Sequence, residues 1–315
     1  MDISARNLRD RLRGALIAAA ATPMTASGEV DLDVVSRYLT GLVADGASAL
    51  AVLAHTGRGP YLTPEVRAAV IGRAVTLGVP VLVGVGGSDD PSDPADPADP
   101  AVTAGPAGLA VAAEQARVAA ELGAAGVLVF PSAHDRVALH DAVWRAGRLP
   151  MIAFDLYTMP CPEDTMRELL AHPGVAGLKT ALLADAVGCQ RAIALTREAG
   201  RLAVTGEDRM FGPSLLWGAQ AALVGVAAAS VGVTADVLRA HRGSGLRAFE
   251  EASGRLDRLA EVTFAEPVEG YVQRMLWLAA AEGRVPESHA VDPYGPPLPA
   301  GERAAVLGTA GRLRR

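Results

Sequence analysis

The feature that most constrains this chain is a rhythm of eight short runs, apolar throughout, separated by longer stretches with helical periodicity. The runs are ALIAAA (15–20), ALAVLA (49–54), VPVLVGVG (79–86), GVLVFP (126–131), PMIAFDL (150–156), VAGLKT (175–180), LAVTGED (202–208) and AALVGVAA (221–228). A strand with one face in water alternates polar and apolar residues. A strand apolar at nearly every position is covered on both faces, as parallel strands wrapped by helices are. Helical patterns fill the gaps, for example at 32–45, 64–77, 108–122 and 184–199. Asp31 and the pair Thr63–Pro64 are placed to start two of these helices, and Gly46, Gly123 and Gly218 to end others. The repeat predicts an α/β chain closed into a (β/α)8 barrel over residues 1–231. A doubly wound open sheet would carry a phosphate-binding turn after its first strand, and no GxGxxG follows ALIAAA.

Residues 232–315 show no further strand pattern and read as a helical extension, with helices expected at 235–246, 255–262 and 268–281. Segment 88–107, SDDPSDPADPADPAVTAGPA, is low in complexity. It reads as a loop after the third strand, on the face where a barrel keeps its active site, either a lid or a passive insertion.

Charge and composition exclude several classes. The net charge is -6 with no basic run, so nucleic acid is not an expected partner. The two cysteines, Cys161 and Cys189, lack metal-ligand spacing, and the six histidines form no HxH or HExxH. Neither a disulfide framework nor a metal site is expected. The first residues are polar and charged, and the apolar run at 15–21 is too short to span a membrane. A cytoplasmic protein with no membrane partner is the expectation.

Of 29 basic residues one is lysine, Lys179, at the end of the sixth run. Where arginine serves as the general cation, a retained lysine points to chemistry that arginine cannot do. Arginine stays protonated, whereas a buried lysine can lose its proton and attack a carbonyl carbon. At the C-terminal end of a barrel strand, Lys179 is placed for that role. The bland alternative is a lysine that reaches solvent or pairs with Asp155, Glu207 or Asp208.

Neighbouring strand ends supply polar groups. His55, Thr56, Gly57 and Arg58 follow the second run, and their hydroxyl, turn amides and cation suit a substrate carboxylate. Asp155 and Tyr157 flank the end of the fifth run and Glu207 that of the seventh, where acid–base groups would sit.

At these residues the chain resembles the dihydrodipicolinate synthase/N-acetylneuraminate lyase family of Schiff-base enzymes. AAATPMTASGEVDLDVV is similar to the family's opening TPF and its following acidic motif. LAHTGRGPYLTPEVR resembles its GTTGE segment, VAGLKT its lysine strand, TGEDRM its sGdD, and AALVGVAAAS its GvIS strand. The resemblance implies a TIM-type barrel with C-terminal helices, often a homotetramer or dimer, and no cofactor. It also implies that Lys179 forms an imine with a 2-oxo acid, with Thr56, Gly57, Arg58, Phe154, Glu207 and Gly225 around the substrate.

The departures are equally specific. The family's strand-five tyrosine aligns with Phe154, which has no proton to give. Its aromatic pair after strand four aligns with Ser132 and Ala133, and its substrate-binding arginine aligns near Met159. The first threonine of its carboxylate-binding pair is His55, and its glutamate is Arg58. The expectation is a lyase, an aldolase or dehydratase, distinct from an authentic dihydrodipicolinate synthase. His55, Asp155 and Tyr157 are the candidates for the missing proton transfer. The alternative is a catalytically silent barrel that binds or senses a small molecule.

Overall fold

The computed structural model describes residues 1–87, 106–132, 135–243 and 245–313. The low-complexity segment lies outside the described residues except for its last two positions, which begin a helix. The strands are β1 (Leu16–Ala19), β2 (Ala49–Val52), β3 (Val81–Val85), β4 (Gly126–Val129), β5 (Met151–Leu156), β6 (Val175–Ala181), β7 (Leu202–Thr205) and β8 (Ala221–Val224). All neighbours pair in parallel, and β8 returns to β1, closing the barrel. The eighth run ends as strand at Val224, where a 3-10 turn at Gly225–Ala228 takes over.

Around the barrel lie α1 (Ile3–Leu12), α2 (Leu32–Ala44), α3 (Pro64–Val75), α4 (Pro106–Glu121), α5 (Arg136–Gly147), α6 (Glu163–Ala171), α7 (Ala186–Glu198) and α8 (Phe211–Leu216). The starting signals act as the sequence predicts. Asp31 accepts the N–H groups of Asp33 and Val34, and Thr63 accepts that of Val66 with Pro64 at the first helical position. Gly46, Gly123 and Gly218 take φ of +117°, +86° and +107° where their helices end.

The strands are apolar throughout because both faces are buried. Inside the barrel, Ile17, Ala51, Leu82, Leu128, Ile152, Phe154, Val204 and Leu223 pack in one cluster with Ala5, Leu8 and Leu12 of α1. That helix, which the periodicity reading did not anticipate, closes the face opposite the site. Outward-facing strand residues join the helices in a second cluster. Beyond the barrel come α9 (Val231–Arg242), α10 (Leu246–Thr263), α11 (Tyr271–Ala281) and α12 (Glu302–Leu313), with a 3-10 turn at Val268–Gly270. No described helix is long and apolar enough to cross a membrane.

Candidate active site

Lys179 sits on β6, in register with Phe154 of β5 and Val204 of β7. Its amine lies 4.0 Å from the centre of the Phe154 ring. The residue is only 7% exposed. Burial pulls its pKa below the ordinary lysine value, and the carboxylates of Asp208 and Glu207 oppose that fall. The chain behind it must be bare: a Cβ at Gly206 would stand 2.3 Å from Lys179 Cε.

The acids near Lys179 are engaged with backbone. Asp208 accepts the N–H of Val226 at 2.7 Å. Burial raises its pKa, against the pull of that amide and of Lys179. Glu207 accepts the N–H groups of Leu182 at 2.6 Å and Leu183 at 2.9 Å, fastening a turn where Leu183 has φ of +55°. It clamps the loop after β6. Asp155 neighbours Phe154 on the strand and so faces the other side. It accepts the N–H of Cys161 at 2.7 Å, and burial lifts its carboxyl to about 6. It anchors the loop after β5, on the side of the strand away from Lys179.

The turn after β2 is tightly made. Gly57 donates its N–H to the Ala54 carbonyl at 2.9 Å, and Arg58 donates its own to that of His55 at 3.2 Å. A Cβ on Gly57 would lie 2.8 Å from Leu53 N, so only glycine lets this turn close. Those two amides hold the turn itself. Arg58 is 1% exposed. Its Nε and Nη2 donate to Asp292 at 3.2 and 2.7 Å, and Nη2 donates to the Glu269 carbonyl at 3.2 Å. Burial works against its charge, but Asp292 and Glu269 hold the guanidinium above its ordinary pKa. Arg58 is a buried cation held by Asp292 and the Glu269 carbonyl.

Three further residues come from the C-terminal region, and the sequence reading missed them: Glu269, Tyr271 and Asp292. Glu269 accepts the phenol proton of Tyr157. Its other oxygen lies 3.0 Å from His55 Nε2, on a bent approach, and 3.6 Å from Arg58 Nη1. Burial alone would raise this carboxyl, but His55, Tyr157 and Arg58 overturn that and lower it to about 2. Burial and Glu269 push the Tyr157 phenol up. The Tyr271 hydroxyl meets Thr56 Oγ1 at 3.0 Å, and its ring stacks on Phe264 with centres 4.7 Å apart. A Cβ on Gly225 would lie 2.8 Å from Tyr271 Cε2. Gly225, expected beside the substrate, makes room for that ring.

One signal for these residues stood in the sequence. An arginine at a buried strand end, where the family keeps a glutamate, demands carboxylates from elsewhere. The other expected departures fall as follows. Ser132 is buried, Ala133 and His134 lie outside the described residues, and the Met159 carbonyl accepts Arg136 Nη2 at 2.8 Å.

The 4-hydroxy-tetrahydrodipicolinate synthase of Leptothrix cholodnii is 28% identical over 312 residues, 92% of this chain and 96% of its own length. That of Mycolicibacterium gilvum is 30% identical over 218 residues, and the match spans 65% of each chain, just under two thirds of the relative's length. Among solved structures, dihydrodipicolinate synthase from Oceanobacillus iheyensis superposes with a TM-score of 0.82 at 14% identity, covering 98% of this chain and 99% of that one. YagE of E. coli K12, a member of the dihydrodipicolinic acid synthase family solved in complex with pyruvate, gives 0.80 at 18% identity, covering 95% and 98%. At such identities the structures speak for the fold alone. The sequence itself matches the dihydrodipicolinate synthetase family over residues 12–300, and the chain belongs to that family of lyases.

Proposed function

We propose that this chain is an imine-forming lyase, an aldolase or dehydratase, that acts on pyruvate or another small 2-oxo acid through Lys179. The observation that carries the reading is the lone lysine, buried at the barrel mouth against Phe154, with its pKa lowered by burial. A neutral amine adds to the C2 carbonyl, the carbinolamine loses water, and the protonated imine draws electrons from the bond to C3. Pyruvate is the ligand named for YagE. This reading gives the substrate carboxylate to the Thr56 hydroxyl, which pairs with Tyr271. Homo-oligomeric assembly belongs to this proposal by family likeness. The second substrate differs from that of the curated relatives, because Phe154 replaces the proton-relaying tyrosine.

The test is borohydride trapping with a panel of 2-oxo acids, followed by intact mass and peptide mapping. The expected result is a reduced adduct on Lys179, lost in Lys179→Arg. Folded protein that gives no adduct with any 2-oxo acid would sink this mechanism and favour the silent binding barrel.

A further inference from the structure

We propose that Glu269 is the positioning residue that makes His55 the proton acceptor and donor of the Lys179 reaction, taking over what the missing strand-five tyrosine does elsewhere. The inference rests on the imine reading above.

Among the described residues the geometry leaves few other groups. Phe154 lies against the amine and carries no exchangeable proton. Asp155 is turned to the Cys161 amide. Tyr157 has its proton directed at Glu269, and both burial and that carboxylate oppose loss of it. His55 remains, next to Thr56 at the end of β2 and 7% exposed. An imidazole acts as a base only through the ring nitrogen that carries no proton. Glu269 stands 3.0 Å from Nε2 and is held ionised by His55, Tyr157 and Arg58. A fixed carboxylate there keeps the proton on Nε2 and leaves Nδ1 as the accepting nitrogen. It also stabilises the imidazolium that forms when Nδ1 takes a proton. Carboxylate–histidine pairs in hydrolases work by the same rule. Arg58, bonded to Asp292 and to the Glu269 carbonyl, braces the carboxylate from behind.

With pyruvate on Lys179, the step is balanced within the site. A C3–H bond of the protonated imine breaks, and its electron pair forms the C2–C3 double bond of a neutral enamine. The proton moves to His55 Nδ1 and later returns to carbon or exchanges with water.

The experiment follows exchange of the C3 protons of pyruvate and of 2-oxobutyrate in deuterium oxide by NMR, beside borohydride trapping of the same samples. Glu269→Gln keeps the shape but removes the charge. Its Lys179 adduct is expected to persist while C3 exchange slows by on the order of 10²-fold. His55→Asn is expected to slow exchange at least as much. The double variant should be no slower than His55→Asn, because the pair acts as a unit. Exchange at the native rate in Glu269→Gln or His55→Asn, with the adduct intact, overturns this inference alone. Equal loss of adduct and exchange in folded Glu269→Gln shows a merely structural role and also overturns it. If Glu269→Gln does not fold, His55→Asn decides. No adduct in the native chain overturns the Lys179 reading, and this one with it.

Discussion

The two sides of the barrel mouth bury charge to the same depth and treat it in opposite ways. Lys179 and Glu269 are each 7% exposed. On the β6 side, burial wins and the lysine is pushed toward its neutral form. On the β2 and C-terminal side, partners win: Glu269 is held down to about 2 and Arg58 is held above its ordinary value. Burial sets the cost of a charge, and neighbours decide whether it is kept. The first side leaves an amine pushed toward neutrality, and the second keeps its charges paired.

The sharpest way to break this comparison is to remove one charge from each side. Lys179→Met should abolish the trapped adduct while leaving stability unchanged or raised, since an apolar chain of similar length ends the burial penalty. Arg58→Met should do the reverse. It strands Asp292, which is buried, and weakens the hold on Glu269. A loss of about 3–5 kcal/mol in denaturant unfolding is expected. If Arg58→Met cost less than about 1 kcal/mol, compensation would not distinguish the two sides.

Glycines sharpen the contrast at smaller scale. In Gly206→Ala the new methyl would meet Lys179 Cε at 2.3 Å and the Thr180 carbonyl at 3.0 Å. The lysine end can swing aside, so a stability cost of about 1–3 kcal/mol is expected. The adduct should form up to about 10²-fold more slowly, because the amine is displaced from its line of attack. Gly225→Ala would press on Tyr271 and Phe264 instead. It should cost similar stability, about 1–3 kcal/mol, while the rate at which Lys179 forms the borohydride-trapped pyruvate adduct changes less than in Gly206→Ala. Equal slowing in both would erase the distinction between the two sides.

The barrel side was legible in the sequence for a physical reason. Strands buried on both faces must be apolar throughout, so their runs stand out. A single lysine among arginines at a strand end marks itself. The C-terminal side was not legible. Tyr271 meets Thr56 across 215 positions, Asp292 meets Arg58 across 234, and Glu269 meets Tyr157 across 112. Periodicity reports which face of a helix is apolar and says nothing about a carboxylate in a three-residue turn between helices. The reading therefore placed Gly57, Arg58, Glu207 and Gly225 beside the substrate, where motif order suggested them. The structure engages the first three in hydrogen bonds of their own and uses the fourth as space. Family order locates strand ends well. It cannot tell a group that meets the ligand from one that holds the loop carrying it.

The finest distinction between the sides lies in how each depends on pH: stability rises with pH on both, but in different windows and for opposite reasons. Lys179 has its folded pKa below that of the unfolded chain, near 10.4. Below the folded value both states are protonated, and the folded protein carries a buried charge at full cost. As pH rises between the two values, the folded state has given up its proton while the unfolded state still binds one, so stability rises. Native protein should therefore trail Lys179→Met most at low pH, and the gap should close toward the ordinary lysine range by at most about 1.4 kcal/mol per pH unit. Glu269 has the same sign in an acid window, but there it is the charged form that the folded state favours. Its folded value of about 2 lies below its ordinary 4.5, so its stabilisation is complete above the ordinary value and is lost as pH falls toward 2. The lysine titration can also be read kinetically. The rate of adduct formation should climb with pH and level off below the ordinary lysine value, and Asp208→Asn should move that midpoint lower by removing a carboxylate that favours the charged amine. A rate that climbs past 10.4 without levelling would mean that the amine is not desolvated at the mouth. Lys179 would then belong with the locked charges, and the case for it as the nucleophile would rest on family likeness alone.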